Sequence, residues 1–168
     1  RVKLYILSSP TKVTHNSTAY STLFQEVSQP KKECIIVPRV SSENRRYVPM
    51  GFMSPENIVN DSVQIIPDAT LYHFGVLESN VHMAWMRAVC GRLKSDYRYS
   101  KDVVYNNFPW PNPTEEQKAK IEQTAQAILD ARALYPDSSL ADLYDELTMP
   151  VELRKAHQDN DRAVMQAY

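Results

Sequence analysis

Three prolines within five residues divide this chain into two parts that differ in composition. They are Pro109, Pro111 and Pro113. Each proline fixes its φ angle, lacks a backbone donor and keeps the preceding residue out of the helical region, so neither a helix nor a central strand can run through them. We therefore predict an extended connector between residues 1–111 and 112–168, with Phe108 and Trp110 packing the second region onto the first.

The first region is predicted to be rich in β-strands. Its apolar runs are short, are enriched in Val, Ile and Tyr, and end at Pro, Asn, Asp or Ser. We predict strands at residues 3–7, 34–40, 46–52, 62–66 and 70–77, with a polar loop at residues 8–21. Pro38 and Pro49 fall within two of these runs, which indicates edge strands or bulges.

Helices are expected at two places in this first region. Ser79 is a suitable N-cap for a helix at residues 80–90, and Gly91 is a suitable residue to end it. A shorter helix is predicted to begin at Ser54, with Pro55 at its first position.

The second region is predicted to be helical. Thr114 and Gln117 have the spacing of a capping box, and apolar residues then recur at helical intervals. A short helix should begin at Ser139, and a last helix should follow Pro150 or Asn160. The chain should therefore have an α+β fold: a mixed, sheet-rich first region with one prominent helix, then a small all-helical region.

Composition limits where such a chain can work. The sequence contains no run of about 18 apolar residues, so it predicts no membrane-spanning helix. Two cysteines, Cys34 and Cys90, are too few for a disulfide framework, and they fit a reducing cytoplasm. The chain opens on Arg1 and ends within a helical pattern, which we interpret as a segment of a longer protein.

Charge is distributed unevenly between the two regions. Residues 1–113 contain 13 Lys and Arg against 9 Asp and Glu, and residues 114–168 contain 6 against 11. A basic first region favours an anionic partner such as nucleic acid, although chance segregation of solvated faces gives the same numbers.

A complete catalytic or cofactor site is not expected within this chain. Its three glycines are too far apart for a phosphate-binding loop, and its four histidines lack metal-ligand spacing. We therefore predict no catalytic residue, no metal and no cofactor in this segment.

The run from Arg92 to Ser100 alternates with period two. On one strand, Arg92, Lys94, Asp96 and Arg98 would share a face. Lys can donate to guanine O6 and N7, and Asp can accept from cytosine N4, so this pair could read one G·C base pair in the major groove. The alternative is a solvent-facing strand with an incidental Lys–Asp pair.

A second polar segment is suited to contacts with the DNA backbone. Arginines, serines and an asparagine between two predicted strands suit phosphate oxygens, although a solvated turn has the same composition. The predicted phosphate-contacting residues are Arg39, Ser41, Asn44, Arg45, Arg46 and Arg92.

Several of these segments, in order, resemble one protein family. Residues 40–52, 69–75, 82–87 and 91–100, with the connector and the tail, resemble the C-terminal part of MmeI-like DNA methyltransferases, the type IIG or IIL restriction–modification enzymes. The resemblance covers residues 23–168.

The resemblance implies a bacterial, cytoplasmic protein with a fixed order of parts. In this family an adenine-N6 methyltransferase domain precedes a target recognition domain and a C-terminal helical region. This chain would be the last two parts, with the recognition domain truncated at its start. S-adenosylmethionine, and Mg²⁺ for any nuclease, would belong to the full-length protein, and duplex DNA would be its partner.

The resemblance also implies roles for individual residues. Lys94 and Asp96 match paired specificity positions that read one base pair, and Arg98 matches another whose partner falls near Ser62. Residues 106–110 superficially resemble the Asn-Pro-Pro-aromatic motif of amino-methyltransferases, but their order differs, so we interpret them as a structural connector. The alternative function is a protein-interaction module whose acidic tail docks a basic partner.

Overall fold

The computed structural model describes residues 2–20 and 29–168, and it divides the chain into two compact units, residues 1–30 and 31–168. In the first unit, helix α1 spans Val2–Leu7, helix α2 spans Lys12–Asn16, and a 3-10 turn spans Ser17–Tyr20. The strand predicted at residues 3–7 is therefore wrong. An apolar run this short is compatible with either a strand or a helix, so the pattern alone does not distinguish them. The loop predicted at residues 8–21 is wrong over residues 12–20, and residue 21 lies outside the described part.

Two three-stranded antiparallel sheets form the β part of the second unit. The first sheet has the order β3-β1-β4, and the second has the order β2-β6-β5. The strands are β1 Cys34–Pro38, β2 Val40–Ser41, β3 Gly51–Met53, β4 Val63–Pro67, β5 Gly91–Leu93 and β6 Asp96–Arg98. β1 is central, but β3 pairs only with its residues 34–36, so Pro38 pairs with Val63 alone, where the strand has become an edge.

Helices account for most of the remaining structure. A π-helical turn spans Lys101–Tyr105. The helices are α3 Leu71–Leu77, α4 Asn80–Val89, α5 Glu115–Ala133, α6 Leu140–Leu143 and α7 Val151–Met165. Ser79 Oγ accepts from the backbone of His82, as predicted for the N-cap of α4, and the capping box at Thr114 and Gln117 is also present. No helix in the described ranges is both long and apolar enough to cross a bilayer.

Three strand or helix predictions in the first region are corrected. Residues 71–77 form helix α3 and not a strand, because Thr70 caps the helix and Phe74, Val76 and Leu77 are buried. Gly75 packs so tightly on α5 that an added Cβ would lie 2.7 Å from Ile121. Only Gly51–Met53 of the predicted run 46–52 is a strand, and the helix predicted at residue 54 is a turn.

One core joins both sides of the proline-rich connector, and the fold is α+β as predicted. Ile35 and Phe74 from the first region pack in the same buried cluster as Ile128 and Leu153 from the second. Phe108 is buried, and its ring lies edge-on to His82 at 4.5 Å. The expectation that Phe108 and Trp110 pack the two regions together is confirmed.

Candidate nucleic-acid interface

A β-hairpin and one neighbouring strand form the sheet that carries most of the predicted base-reading residues. β5 and β2 pair antiparallel with the two edges of β6. Leu93 lies opposite Asp96, and both Gly91 and Val40 lie opposite Arg98. Because cross-strand partners point to the same side of a sheet, these five residues share one surface, which we call the hairpin face.

The hairpin face is open to solvent. Arg98 is exposed and Asp96 is half-buried. Leu93 and Val40 are 52% and 40% exposed, which is high for apolar side chains of a sheet. No side-chain hydrogen bond or ion pair of Asp96 or Arg98 is found within residues 2–20 and 29–168. Their polar atoms are therefore free to meet a ligand.

The predicted continuous strand from residue 92 to residue 98 is wrong. Lys94 and Ser95 form a two-residue turn between β5 and β6. Lys94 has a φ of 57°, a left-handed conformation usually adopted by Gly, Asn or Asp. Lys94 therefore lies at the exposed tip of the hairpin, next to the face that carries Asp96, instead of on the same strand.

Arg92 points to the other side of the sheet from Asp96. Its guanidinium lies 4.1 Å from the ring centroid of buried Tyr97, and Nη1 donates to the Ser95 carbonyl at 2.8 Å. The same nitrogen is 3.7 Å from a carboxylate oxygen of Glu43. Arg92 thus stiffens the hairpin and ties it to residues 42–46, which we call the arginine loop.

Ser62 and Arg98 are brought together through Arg39. The Arg39 N–H donates to the Ser62 carbonyl at 2.9 Å, and the Tyr99 N–H donates to the Arg39 carbonyl at 2.8 Å. Arg39 therefore joins the start of β4 to the end of β6. The Ser62 hydroxyl is exposed and donates to Asn60 Oδ1.

A buried hydrogen bond supports the end of β6. Tyr99 directly follows β6, and its hydroxyl lies 3.0 Å from His82 Nε2 on α4. Both side chains are buried, and burial lowers the pKa of His82 to about 3. His82 is therefore neutral at physiological pH, and the contact is a neutral hydrogen bond that joins the hairpin to the helix.

The arginine loop presents cations at the surface, with one exception among the predicted contacts. Asn44 and Arg46 are exposed and Arg45 is half-buried. Ser41 is only 4% exposed, and its hydroxyl has no hydrogen-bond partner within the described residues. The interior position of Ser41 argues against the phosphate contact predicted for it.

Arg87 is a cation that the sequence patterns did not single out. It lies on α4, and its Nη2 donates to the carbonyl of Arg46. It therefore holds the arginine loop against the helix and adds a positive charge beside it. A lone Arg within a helix has no distinguishing spacing, so only the tertiary contact identifies it.

A buried polar cluster joins the first region to the C-terminal helices. Glu78 accepts from the Met50 N–H at 2.7 Å and from Arg132 Nη2 at 2.9 Å. Arg132 also donates to Tyr144 Oη, and Tyr144 in turn donates to His157 Nε2 at 2.7 Å. We call Glu78, Arg132, Tyr144 and His157 the buried anchor.

Burial shifts the acid–base properties of the buried anchor. Loss of solvent raises the pKa of Glu78 to about 7, although Arg132 opposes the shift. The same cause, with the nearby Arg132 charge, lowers the pKa of His157 to about 3. His157 Nδ1 lies 3.2 Å from the Glu78 carbonyl and so carries the proton, which leaves Nε2 as the acceptor for Tyr144.

A second buried acid supports the start of α4. Asp161 on α7 accepts from the Asn80 N–H at 2.6 Å and from Tyr47 Oη at 2.8 Å. Within the described ranges, no group of three or more His, Cys, Asp or Glu could hold a metal ion.

Comparison with known proteins assigns the chain to a family. Residues 1–112 match the family model for the target recognition domain of MmeI, and residues 113–168 match the model for the MmeI C-terminal domain. The chain belongs to the MmeI family. The match includes residues 1–22, which the sequence motifs had left outside the resemblance.

Two relatives give the scale of the similarity to the MmeI family. DNA methyltransferase A of Bacillus subtilis (strain 168) is 43% identical over 155 residues, which is 92% of this chain and 16% of that protein. A solved structure of the type IIL restriction-modification enzyme MmeI in complex with DNA superposes with a TM-score of 0.90 at 47% identity. The superposition covers 99% of this chain and 22% of the MmeI chain, so the chain spans less than a quarter of either relative.

Proposed function

We propose that this chain reads the DNA sequence for a larger restriction–modification methyltransferase. The observation that carries the proposal is the hairpin: residues 91–95 are exposed, and Asp96 and Arg98 present unpaired charged groups on one open face. A two-stranded β-ribbon fits the major groove, where each base pair shows a distinct pattern of donors and acceptors. The similarity to a protein solved with DNA supports the same reading.

Asp96 and Lys94 are proposed to read one G·C pair together. The Asp96 carboxylate accepts from cytosine N4, and the Lys94 ammonium donates to guanine O6 and N7. Lys94 and Asp96 are two residues apart, so their Cα atoms lie within about 7 Å of each other, and the long Lys94 side chain covers the remaining distance. The proposed pairing therefore uses Lys94 at the tip of the hairpin and Asp96 on the adjacent hairpin face, instead of two residues on one strand face.

Arg98 and Ser62 are proposed to read a second position. Arg98 donates to a purine edge. Ser62 lies near it because Arg39 hydrogen-bonds both to the Ser62 carbonyl and to the N–H of Tyr99, the residue after Arg98. The proposed backbone contacts are Arg39, Asn44, Arg45, Arg46 and Arg92, with Arg87 added. Ser41 is left out because it is buried.

The chemistry is proposed to lie in a methyltransferase domain of the same, longer polypeptide. S-adenosylmethionine would supply the methyl group there, with a target adenine N6 as acceptor, and Mg²⁺ would serve any nuclease. In this arrangement the chain contributes binding energy and register, since phosphate contacts position a protein on DNA and base contacts specify the site.

The decisive experiment exchanges the two charges of the hairpin tip in the full-length protein. Lys94→Glu with Asp96→Arg should turn the preferred base from G to C at one position, because the acceptor and the donor have traded places. Each single substitution should mainly lose activity, since it leaves one repulsive contact. Long-read mapping of the methylated motif measures the result.

The chain offers a matched control for this exchange. Lys155 and Asp159 form an exposed ion pair of 3.1 Å on α7, and Asp159 also pairs with exposed Arg162 at 2.7 Å. Lys155→Glu with Asp159→Arg makes the same exchange of charges in the C-terminal helical region. That control should leave the motif unaltered. An unaltered motif in the active Lys94/Asp96 double variant would overturn the proposed base contacts and favour the protein-interaction alternative.

A further inference from the structure

Leu93 is an exposed apolar side chain beside the charged residues Lys94 and Asp96. It lies directly opposite Asp96 on the hairpin face, one residue before the turn at Lys94. Leu93 is 52% exposed. On one continuous strand, Leu93 and Asp96 would point to different sides of the sheet, whereas the hairpin turn places them on the same side.

The register places the Cβ atoms of Leu93 and Asp96 less than two base-pair steps apart. Cβ atoms of directly opposed residues on antiparallel strands are about 4.5–5.5 Å apart. Successive base pairs are separated by about 3.4 Å along the helix axis. A ribbon that inserts Asp96 into the major groove therefore brings the Leu93 methyl groups against the same base pair or its immediate neighbour.

The major groove offers one apolar group to such a side chain. Thymine presents its C5-methyl group there, whereas the other groups that distinguish the bases are donors or acceptors. An apolar side chain against those polar groups would leave them without hydrogen-bond partners, which costs free energy. Contact with a methyl group removes apolar surface of both partners from water.

We infer that Leu93 is a further specificity-determining residue, which recognises the C5-methyl group of a thymine in the base pair next to the one contacted by Asp96. The inference rests on the proposed function, since it needs the hairpin to lie in the major groove. It adds a T·A requirement beside the G·C requirement of Lys94 and Asp96.

Replacing thymine by deoxyuridine tests the inference, because this change removes only the methyl group. The Kd of the full-length protein is measured for duplexes that carry its methylation motif, with each thymine of the motif replaced in turn. One replacement should weaken binding by about three- to fivefold, as expected for one buried methyl group. Leu93→Ala should bind the thymine and deoxyuridine duplexes equally at that position, and Leu93→Met should retain the difference.

A control variant separates this contact from a general loss of apolar surface. Leu147 is 94% exposed in the C-terminal helical region, so Leu147→Ala makes the same substitution away from the hairpin face. It should keep the full sensitivity to deoxyuridine. The inference is overturned if no thymine of the motif shows this sensitivity, if the motif contains no thymine, or if Leu93→Ala keeps the sensitivity.

The outcome can be told apart from failure of the proposed function. If the Lys94/Asp96 exchange alters the motif while deoxyuridine has no effect, the hairpin reads DNA and only the role of Leu93 is lost. If the active protein keeps its motif after that exchange, the proposed base contacts of the hairpin are wrong, and the role inferred for Leu93 is then wrong as well.

Discussion

The hairpin face and the buried anchor use charged side chains in opposite ways. On the hairpin face, Asp96 and Arg98 have no side-chain partner within the described chain and face solvent. In the buried anchor, Glu78 is fully buried and its charge is met by Arg132. The first arrangement leaves polar groups available to a ligand, and the second consumes them within the protein.

The contrast shows that one compact unit can place its solvent-facing charged side chains apart from the buried ones that stabilise the fold. Side chains of the hairpin face can be exchanged with little effect on folding, because they contribute few internal contacts. Side chains of the buried anchor cannot, because each one leaves a partner unsatisfied in a dry environment. Substitutions in the two places should therefore differ in kind as well as in size.

The largest effect is expected for Arg132→Ala in the buried anchor. It leaves the Glu78 carboxylate buried without its counter-charge, and removing one partner of a buried ion pair costs about 3–5 kcal/mol. Urea unfolding should show the loss. Arg154→Ala is the control, since Arg154 pairs with Glu146 in a partly exposed position worth less than about 1 kcal/mol. Equal losses for the two variants would remove the distinction between buried and exposed pairs.

A smaller, pH-dependent effect is expected for Glu78→Gln. Because the folded pKa of Glu78 is raised to about 7 from 4.5, the folded state binds the proton more tightly than the unfolded state. The contribution of Glu78 is therefore fully favourable below pH 4.5 and is lost as the pH rises to about 7. The free energy of unfolding of the parent, minus that of Glu78→Gln, should fall over this range by about 1–3 kcal/mol.

The two buried histidines, His82 and His157, change the free energy of unfolding with pH in the opposite direction, so their effect must be separated from that of Glu78. Their pKa values are lowered to about 3, so they stabilise the fold above pH 6.5 and lose that stabilisation as the pH falls. Both histidines are present in the parent and in Glu78→Gln, so their contribution cancels in the difference. A difference that does not change with pH would show that Glu78 ionises normally.

An intermediate effect is expected for Tyr99→Phe, which links the two sides of the comparison. Loss of the buried hydrogen bond to His82 should cost about 1–2 kcal/mol. If this bond positions the end of β6, base discrimination should weaken at the position that we propose Arg98 reads, and it should persist at the position proposed for Lys94 and Asp96. Uniform weakening at all positions would assign Tyr99 a purely structural role.

The second region and the helix caps could be predicted from sequence, because their signals are local. The capping box at Thr114 and Gln117 and the N-cap at Ser79 depend on residues three apart in the chain. The extended connector could be predicted as well, because each proline restricts the φ angle of its own residue. By contrast, α3 was mistaken for a strand because its apolar residues are buried on several sides by α5 and the first sheet.

The hairpin geometry could not be predicted because its turn lacks the usual residues. A two-residue hairpin turn is normally predicted from Gly or Asn at its left-handed position, but here Lys94 occupies that position. The candidate base-reading residues were nonetheless selected by their chemistry. What required the structure was their arrangement: Leu93 beside Asp96, Arg92 on the reverse side, and Ser41 in the interior.

The smallest stability effect is expected at Lys94, and it sharpens the comparison because folding and recognition should move in opposite directions. Lys at a φ of 57° carries a conformational cost that Asn largely avoids, so Lys94→Asn should stabilise the chain by about 0.5 kcal/mol. The same substitution removes the ammonium group proposed to contact guanine, so the full-length variant should lose its preference for G at one motif position.

Asp68→Asn is the control, since Asp68 has a φ of 54° and already tolerates that conformation. It should change the free energy of unfolding and the motif by nothing measurable. A Lys94→Asn variant that is destabilised, or that keeps its G preference, would show that the hairpin tip serves the fold instead of the DNA.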